Sequence, residues 1–288
     1  MPAAEVVGLP EFLRLTARSR CLVMGVVNVT PDSFSDGGRW FEPGAAIEHG
    51  EQLLAEGADI LDIGGESTRP GAQRPDEAEE LRRVIPVVRE LARLGARVSI
   101  DTMRASVAAR AMDSGAAIVN DVSGGLADPR MASTVAGTGV PFIAMHWRGH
   151  SERMDELATY TDVVGEVCAE LRGRAEALCA AGLSPEQLIL DPGFGFAKLA
   201  DHNWTLLAHL EDVAALGHPI LVGTSRKRFL GGLGLADGAT PRPPDDRDAA
   251  TAATTVLAAR AGAWAVRVHD VASSVAAVQV VAATEAAR

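Results

Sequence analysis

The sequence predicts a single (β/α)8 barrel (a TIM barrel), an α/β fold in which eight parallel strands each precede a helix. Eight short aliphatic runs recur along the 288 residues, and a longer Ala- and Leu-rich segment with helical spacing follows each. Eight such units favour a barrel, because a doubly wound open sheet usually has fewer units and a switch point. We expect residues 19–288 to form the barrel and residues 1–18 to form an N-terminal extension.

The predicted strands are β-branched or aliphatic runs of five to seven residues. In chain order they span 21–27, 58–64, 97–101, 116–121, 140–145, 187–191, 218–223 and 263–269. The helices predicted after them span 43–57, 76–94, 104–115, 129–138, 158–181, 201–216, 247–262 and 271–285. Proline near helix starts, such as Pro43, and glycine just past helix ends, such as Gly95, mark these boundaries. The Pro- and Asp-rich stretch 237–247 is predicted to be one long loop.

Composition and charge exclude several classes of protein. The formal net charge of −11 argues against a broad nucleic-acid surface, which needs clustered Lys and Arg. Three cysteines without a CxxC pair suggest neither a disulfide framework nor a zinc site. The N-terminus lacks a signal-like pattern, and the apolar runs are too short to span a membrane. We expect a cytoplasmic protein with no nucleic-acid or membrane partner.

Polar side chains stand at the predicted C-terminal end of every strand. They are Asn28, Gly64 to Glu66, Asp101, Asn120 with Asp121, His146, Asp191, Ser225 with Arg226 and Lys227, and Arg267 with His269. One such residue alone is explained by a helix cap. In a barrel, however, all eight strand ends meet at one mouth, where these enzymes hold their chemistry. The pattern therefore predicts an active site at the mouth.

Asp101, Asn120 and Asp191 form a group of acceptors and one amide on strands 3, 4 and 6. Such a set suits a flat heterocycle with adjacent N–H donors, for example an amino-oxo-pyrimidine ring, because a buried carboxylate needs donors around it. The alternative is structural: Asp101 caps the helix that starts near Met103, and Asp191 precedes a Pro/Gly turn.

A second group is cationic and lies at the ends of strands 7 and 8. Ser225, Arg226 and Lys227 follow strand 7, while Arg267 and His269 share a face of strand 8. Phosphate sites in these barrels often lie there, and helix-start N–H groups add donors for an anion. The alternatives are a solvated run of charge and a hydrogen-bonded core histidine.

Three loops carry further signals. The segments 28–38 and 64–75 are long for connections of this kind and rich in Gly, Pro, Ser and Asp, which favours mobile lids over the mouth. Ordinary turn chemistry explains their shape equally well. In DPGFGFAK at 191–198, Phe194 or Phe196 could stack on a planar ligand.

Several long motifs together resemble the dihydropteroate synthase family of folate biosynthesis. They are NVTPDSFSDGG at 28, DIGGESTRPG at 62, SIDTMRA at 99, VNDVSGG at 119, MHWR at 145, LDPGFGFAK at 190, SRKRFLG at 225 and RVHDV at 267. The resemblance implies a barrel enzyme, usually a homodimer, that uses Mg²⁺. It also implies a reaction that joins 6-hydroxymethyl-7,8-dihydropterin pyrophosphate to 4-aminobenzoate, giving dihydropteroate and pyrophosphate.

Matching motifs transfer the family's site residues onto this chain. The pterin contacts are Asp101, Asn120, Met145, Asp191, Phe196, Lys227 and Arg267. The pyrophosphate contacts are Asn28, Arg69, Arg267 and His269, with Asn28 also near the magnesium. The aminobenzoate pocket is formed by Phe34, Thr68, Pro70, Phe196, Lys227 and Ser225. The catalytic residues implied are Asp101, Lys227, Arg267 and His269.

Three alternatives share parts of this pattern. Methyltransferases that act between a methylated folate and a corrinoid also use Asp and Asn at barrel strand ends, but the cationic groups here fit an anionic leaving group. A pterin-binding relative without turnover would show damage in the loops or the cations, and none is visible in the sequence. A Schiff-base aldolase would use Lys227, which stands in an Arg-rich run rather than in an apolar pocket that lowers its pKa.

Overall fold

A computed structural model describes residues 20–30, 43–66, 74–150, 156–236 and 239–288. Its strands are β1 Leu22–Asn28, β2 Ile60–Gly64, β3 Val98–Asp101, β4 Ile118–Asp121, β5 Phe142–Met145, β6 Leu188–Asp191, β7 Leu221–Val222 and β8 Ala265–Val268. They form one parallel sheet in the order β6-β5-β4-β3-β2-β1-β8-β7. A bridge between Leu190 and Ile220 joins β6 to the residue just before β7 and closes the ring. The predicted barrel is confirmed.

Helices lie between the strands. They are α1 Pro43–Ala55, α2 Glu77–Arg93, α3 Ala105–Asp113, α4 Met131–Val135, α5 Val163–Ala180, α6 Ala200–Ala208, α7 Leu210–Ala214, α8 Arg228–Gly231, α9 Asp248–Arg260 and α10 Val271–Ala286. Seven strands fall inside their predicted runs, and β1 extends one residue further to Asn28. The expected N-terminal extension, residues 1–18, lies outside the described residues.

Three helices differ from the predictions for local reasons. The helix predicted at 129–138 ends at Val135, before Gly137 and Gly139, which both have positive φ. The helix predicted at 158–181 begins at Val163, because the Asp162 side chain accepts from the Gly165 amide and caps it. The helix predicted at 201–216 is two helices, separated at His209, whose φ of −121° and ψ of 32° are not helical.

The barrel interior explains why polar residues meet at the mouth. The apolar floor includes Ile60 of β2, Ile118 of β4 and Ile189 of β6, which pack in one buried cluster. Strand side chains alternate between the two faces, so the residue two positions further along each strand also points inward and one layer higher. The residues at those positions are Asp62, Asn120 and Asp191, and on β8 the same step from Ala265 reaches Arg267. The fold therefore places polar side chains directly above an apolar floor.

Candidate active site

Four side chains from strands β2, β3, β4 and β8 form a hydrogen-bonded cluster at the mouth. Arg267 donates from Nε to Asp62 Oδ2 at 2.6 Å and from a terminal nitrogen to Asp101 Oδ2 at 2.8 Å. Asn120 donates from Nδ2 to the same Asp62 oxygen at 3.0 Å. Asp62 is fully buried and Asn120 is almost so. One guanidinium thus links two carboxylates, and one carboxylate holds both a guanidinium and an amide.

In this cluster, burial and the neighbouring charges shift the pKa values of Asp101 and Arg267 in opposite directions. Burial raises the pKa of Asp101 to about 7, although the neighbouring Arg267 works to lower it. Burial disfavours the charged form of Arg267, but the carboxylates of Asp62 and Asp101 outweigh the effect of burial and raise the pKa of Arg267. Because Asp101 titrates near neutral pH while its arginine partner stays charged, the site can change its net charge around pH 7.

Asp191 and Lys227 form a second pair of groups from β6 and from the segment after β7. Burial raises the pKa of Asp191 to about 6, against a backbone hydrogen bond from Gly193 at 2.7 Å. Burial also lowers the pKa of Lys227 to about 8, and Arg267 acts in the same direction. The Lys227 ammonium lies 4.0 Å from the centroid of the Phe196 ring, which is a cation–π contact.

The loop after β6, residues 192–199, is held in place by one of its own residues, the buried Lys198. Lys198 Nζ contacts the carbonyls of Gly193 and Phe196 at 3.0 and 3.2 Å and His146 Nδ1 at 3.0 Å. Burial lowers the pKa of Lys198 to about 7, yet three acceptors match the three N–H groups of an ammonium. With Nδ1 accepting, His146 carries its proton on Nε2 and donates it to Glu170 at 2.9 Å. This chain of contacts ties Phe196 to helix α5.

At the end of β8, His269 contacts the segment that follows β7. Its Nδ1 lies 3.0 Å from Ser225 Oγ, and its backbone amide donates to the same oxygen at 3.1 Å. Val268 is buried in the outer core, so Arg267 and His269 share the opposite face as predicted. Arg226 differs from the expectation for a ligand-binding cation, because it pairs with Asp248 at the start of α9.

The structural explanations of Asp101 and Asp191, a helix cap and a turn, have different outcomes. Asp101 does not cap helix α3: the amide of Ala105 donates to Asp128 Oδ2 at 3.0 Å, while Asp101 bonds Arg267. Asp191 does serve the turn that follows it, through its bond from Gly193. The expectation that Lys227 escapes a pKa-lowering environment is wrong, because burial lowers its pKa and Arg267 acts in the same direction.

Of the remaining predicted site residues, the structure describes two and leaves four outside the described ranges. Asn28 ends β1 in register with Gly64, and Met145 is buried at the end of β5. Most of each predicted lid, residues 31–38 and 67–73, lies outside the described residues, and so do the site residues on them, Phe34, Thr68, Arg69 and Pro70.

Sequence reasoning missed two residues that organise the site, Asp62 and Lys198. The run ADILDIG contains two acids, Asp59 and Asp62, and Asp62 could have been found as the one that shares the inward phase of Ile60 and Gly64. For Lys198 the sequence offers only its place at the end of the glycine-rich loop.

Comparison with known proteins adds an independent result. The sequence profile of a family described as pterin binding enzymes matches residues 24–269 of this chain. Dihydropteroate synthase from Mycobacterium leprae is 58% identical over 263 residues, which cover 91% of this chain and 92% of that protein. The corresponding Bacillus subtilis protein is 43% identical over 258 residues, covering 89% and 86%.

A solved structure agrees with these sequence comparisons. Dihydropteroate synthase from Xanthomonas albilineans, solved with 4-aminobenzoic acid, superposes with a TM-score of 0.85 at 46% identity, covering 93% of this chain and 94% of that one. Matches of this extent and identity confirm the resemblance found in the sequence motifs. The chain belongs to the dihydropteroate synthase family of pterin-binding enzymes.

Proposed function

We propose that this protein condenses 6-hydroxymethyl-7,8-dihydropterin pyrophosphate with 4-aminobenzoate, releasing 7,8-dihydropteroate and pyrophosphate. The observation that carries the proposal is the buried cluster of Asp62, Asp101, Asn120 and Arg267 above the apolar floor. The relatives support the reaction: one Xanthomonas albilineans dihydropteroate synthase was solved with 4-aminobenzoic acid and another structure of it with 7,8-dihydropteroate.

The charges at the mouth suit a reaction that passes through a cation. The bond between the pterin methylene carbon and the pyrophosphate oxygen breaks, and both electrons leave with the oxygen. Asp101 and Asp191 stabilise the positive charge that develops on the ring, because their fixed carboxylates act in a buried site. The arylamine nitrogen then attacks the carbon, forms the C–N bond and loses one proton.

The leaving group meets the cationic side of the same mouth. Arg267 and His269 lie at the end of β8, where they bind the pyrophosphate oxygens and offset the charge that accumulates on them. Ser225 positions His269 through two contacts to its hydroxyl. Phe196 forms the wall shared by the pterin and aminobenzoate sites, and Lys227 fixes its ring.

We also propose Mg²⁺ as the metal of the reaction. Asn28 offers one amide oxygen, and Mg²⁺ is commonly held by one or two protein ligands together with substrate phosphates. Among the described residues there is no group of three or more His, Cys, Asp or Glu that could hold a metal. When bound, the metal would neutralise charge on the leaving group.

A homodimer and a cytoplasmic location complete the proposal. Leu257 on α9 is 50% exposed and Val280 on α10 is 59% exposed, and these two helices pack together. Exposed apolar side chains on adjacent helices support an interface between two copies. All three cysteines are unpaired, which supports a reducing compartment. Within the described residues, no helix is long and apolar enough to cross a membrane.

The test is an assay of pyrophosphate release with and without 4-aminobenzoate, with the pterin product identified by mass. We expect release that depends on the arylamine and a product of the mass of 7,8-dihydropteroate. Pyrophosphate release that does not depend on 4-aminobenzoate, or no release at all, would contradict the proposal. Because Lys227 has a lowered pKa, borohydride trapping is the matching control: a reduced adduct at Lys227 would favour Schiff-base chemistry instead.

A further inference from the structure

Asp62 makes contacts that a merely structural residue of β2 would not need. It is fully buried, and its Oδ2 alone accepts both the Arg267 and the Asn120 hydrogen bonds. Its other oxygen, Oδ1, is buried and has no hydrogen-bond partner in the structure. Both side-chain hydrogen bonds of Asp62 are therefore made with residues of the proposed pterin site.

The contact with Asp62 decides which way the Asn120 amide faces. A carboxylate that pairs with a guanidinium has only acceptors, so the amide group that faces it must be the NH₂ group. The 3.0 Å contact from Nδ2 has this sense. The carbonyl oxygen of Asn120 consequently points away from Asp62.

We propose that Asp62 is a positioning residue that makes Asn120 an acceptor toward the ligand and holds Arg267 against Asp101. An acceptor at this place selects a ring that presents an amino group at that edge and disfavours a ring that presents a carbonyl oxygen. This inference rests on the proposed function, since it names the feature by which the same site tells an aminopterin ring from its oxo analogue.

The geometry of Asp62 allows charge and orientation to be separated by substitution. Because Oδ2 accepts both bonds, Asp62→Asn can keep both with its amide oxygen, while its NH₂ takes the place of the unpartnered Oδ1. Asp62→Ala removes both bonds and frees the Asn120 amide to turn over. Ser99 is the matched control, because it pairs with Asp62 in register, is fully buried and also has an unpartnered side chain.

The experiment measures the affinity of the full-length protein for two ligands by calorimetry. One is 6-hydroxymethylpterin, and the other is 6-hydroxymethyl-lumazine, which carries an oxygen in place of the 2-amino group. We expect the parent protein, Asp62→Asn and Ser99→Ala to prefer the pterin by similar factors. Asp62→Ala should lower that preference by at least about tenfold, because a turned amide donates to the oxygen.

The ratio of two affinities is insensitive to the fraction of protein that is folded, so a loss of stability does not imitate the result. If Asp62→Ala fails to fold, Asp62→Ser serves instead, since its hydroxyl both donates and accepts and leaves the amide free to turn. An unchanged preference in the variant that folds overturns the role of Asp62. Failure of the parent protein to bind the pterin would instead refute the proposed function, a separate result.

Discussion

Replacing Asp101 with Asn tests whether this carboxylate stabilises a cation. Asn keeps the shape of the side chain and an oxygen that can accept from Arg267, but it removes the negative charge. The structure makes the substitution informative, because Asp101 bonds Arg267 and does not cap helix α3. A loss of turnover therefore reports on electrostatics rather than on helix stability.

The expected loss follows from Coulomb's law and from the arginine beside Asp101. A unit negative charge about 4 Å from the ring is worth about 4 kcal/mol at an effective dielectric constant of about 20. Arg267 lies 2.8 Å from the carboxylate and cancels part of its field at the ring. We expect a net loss of about 3 kcal/mol, which lowers kcat by roughly 10². Pterin affinity should fall much less, because the neutral ring gains less from the charge than the cation does.

The assay measures kcat, pterin affinity and melting temperature of the variant beside Asp121→Asn. Asp121 ends the next strand, but its carboxylate accepts from the amides of Ser123 and Gly125, so its replacement should lower stability and leave turnover per folded molecule unchanged. Because burial raises the pKa of Asp101 in the free protein to about 7, kcat/KM of the parent protein should fall as the pH drops through 7 and Asp101 gains a proton. The reasoning is refuted by a stably folded Asp101→Asn enzyme with unimpaired turnover.

Three further results are expected. Lys198→Met should raise the KM for 4-aminobenzoate severalfold with a smaller change in kcat, because the loop after β6 loses three contacts; an unchanged KM would show that the lysine does not position that loop. Gly193→Ala should cost more stability in thermal unfolding than Gly217→Ala, since both have positive φ but only the first adds a Cβ 2.6 Å from a backbone oxygen; equal losses would contradict this. His269→Ala and Arg267→Ala should each weaken pyrophosphate binding in calorimetry by roughly tenfold or more, and undiminished affinity in both would remove the cationic site.

The barrel and the ring of polar strand ends could be predicted because both follow from a two-residue period along each strand. Asp101, Asn120 and Asp191 were found in this way, as was the shared face of Arg267 and His269. The end of a strand is visible in the sequence as the point where the aliphatic run stops. The position of each side chain at the mouth then needs no knowledge of its partners.

Contacts between distant strands could not be predicted in the same way. Arg267 and Asp62 are 205 residues apart, and no local pattern shows that one guanidinium joins the carboxylates of β2 and β3. The acceptors of Lys198 are two loop carbonyls and a histidine 52 residues away, which become neighbours only after the loop has folded over β5. The pairing of Arg226 with Asp248 likewise decides that this cation stabilises α9 rather than facing the ligand.

The balance of charge at the mouth connects these contacts to the chemistry. The carboxylates Asp62, Asp101 and Asp191 lie near the cations Arg267 and Lys227, and the buried ammonium of Lys198 also acts on Asp191. Burial disfavours the charged forms of Asp101 and Asp191 and raises their pKa values. A cation that develops on the bound ring would favour both ionised carboxylates. The positively charged transition state therefore offsets the burial cost that raises these pKa values in the free protein, and this offset favours its binding.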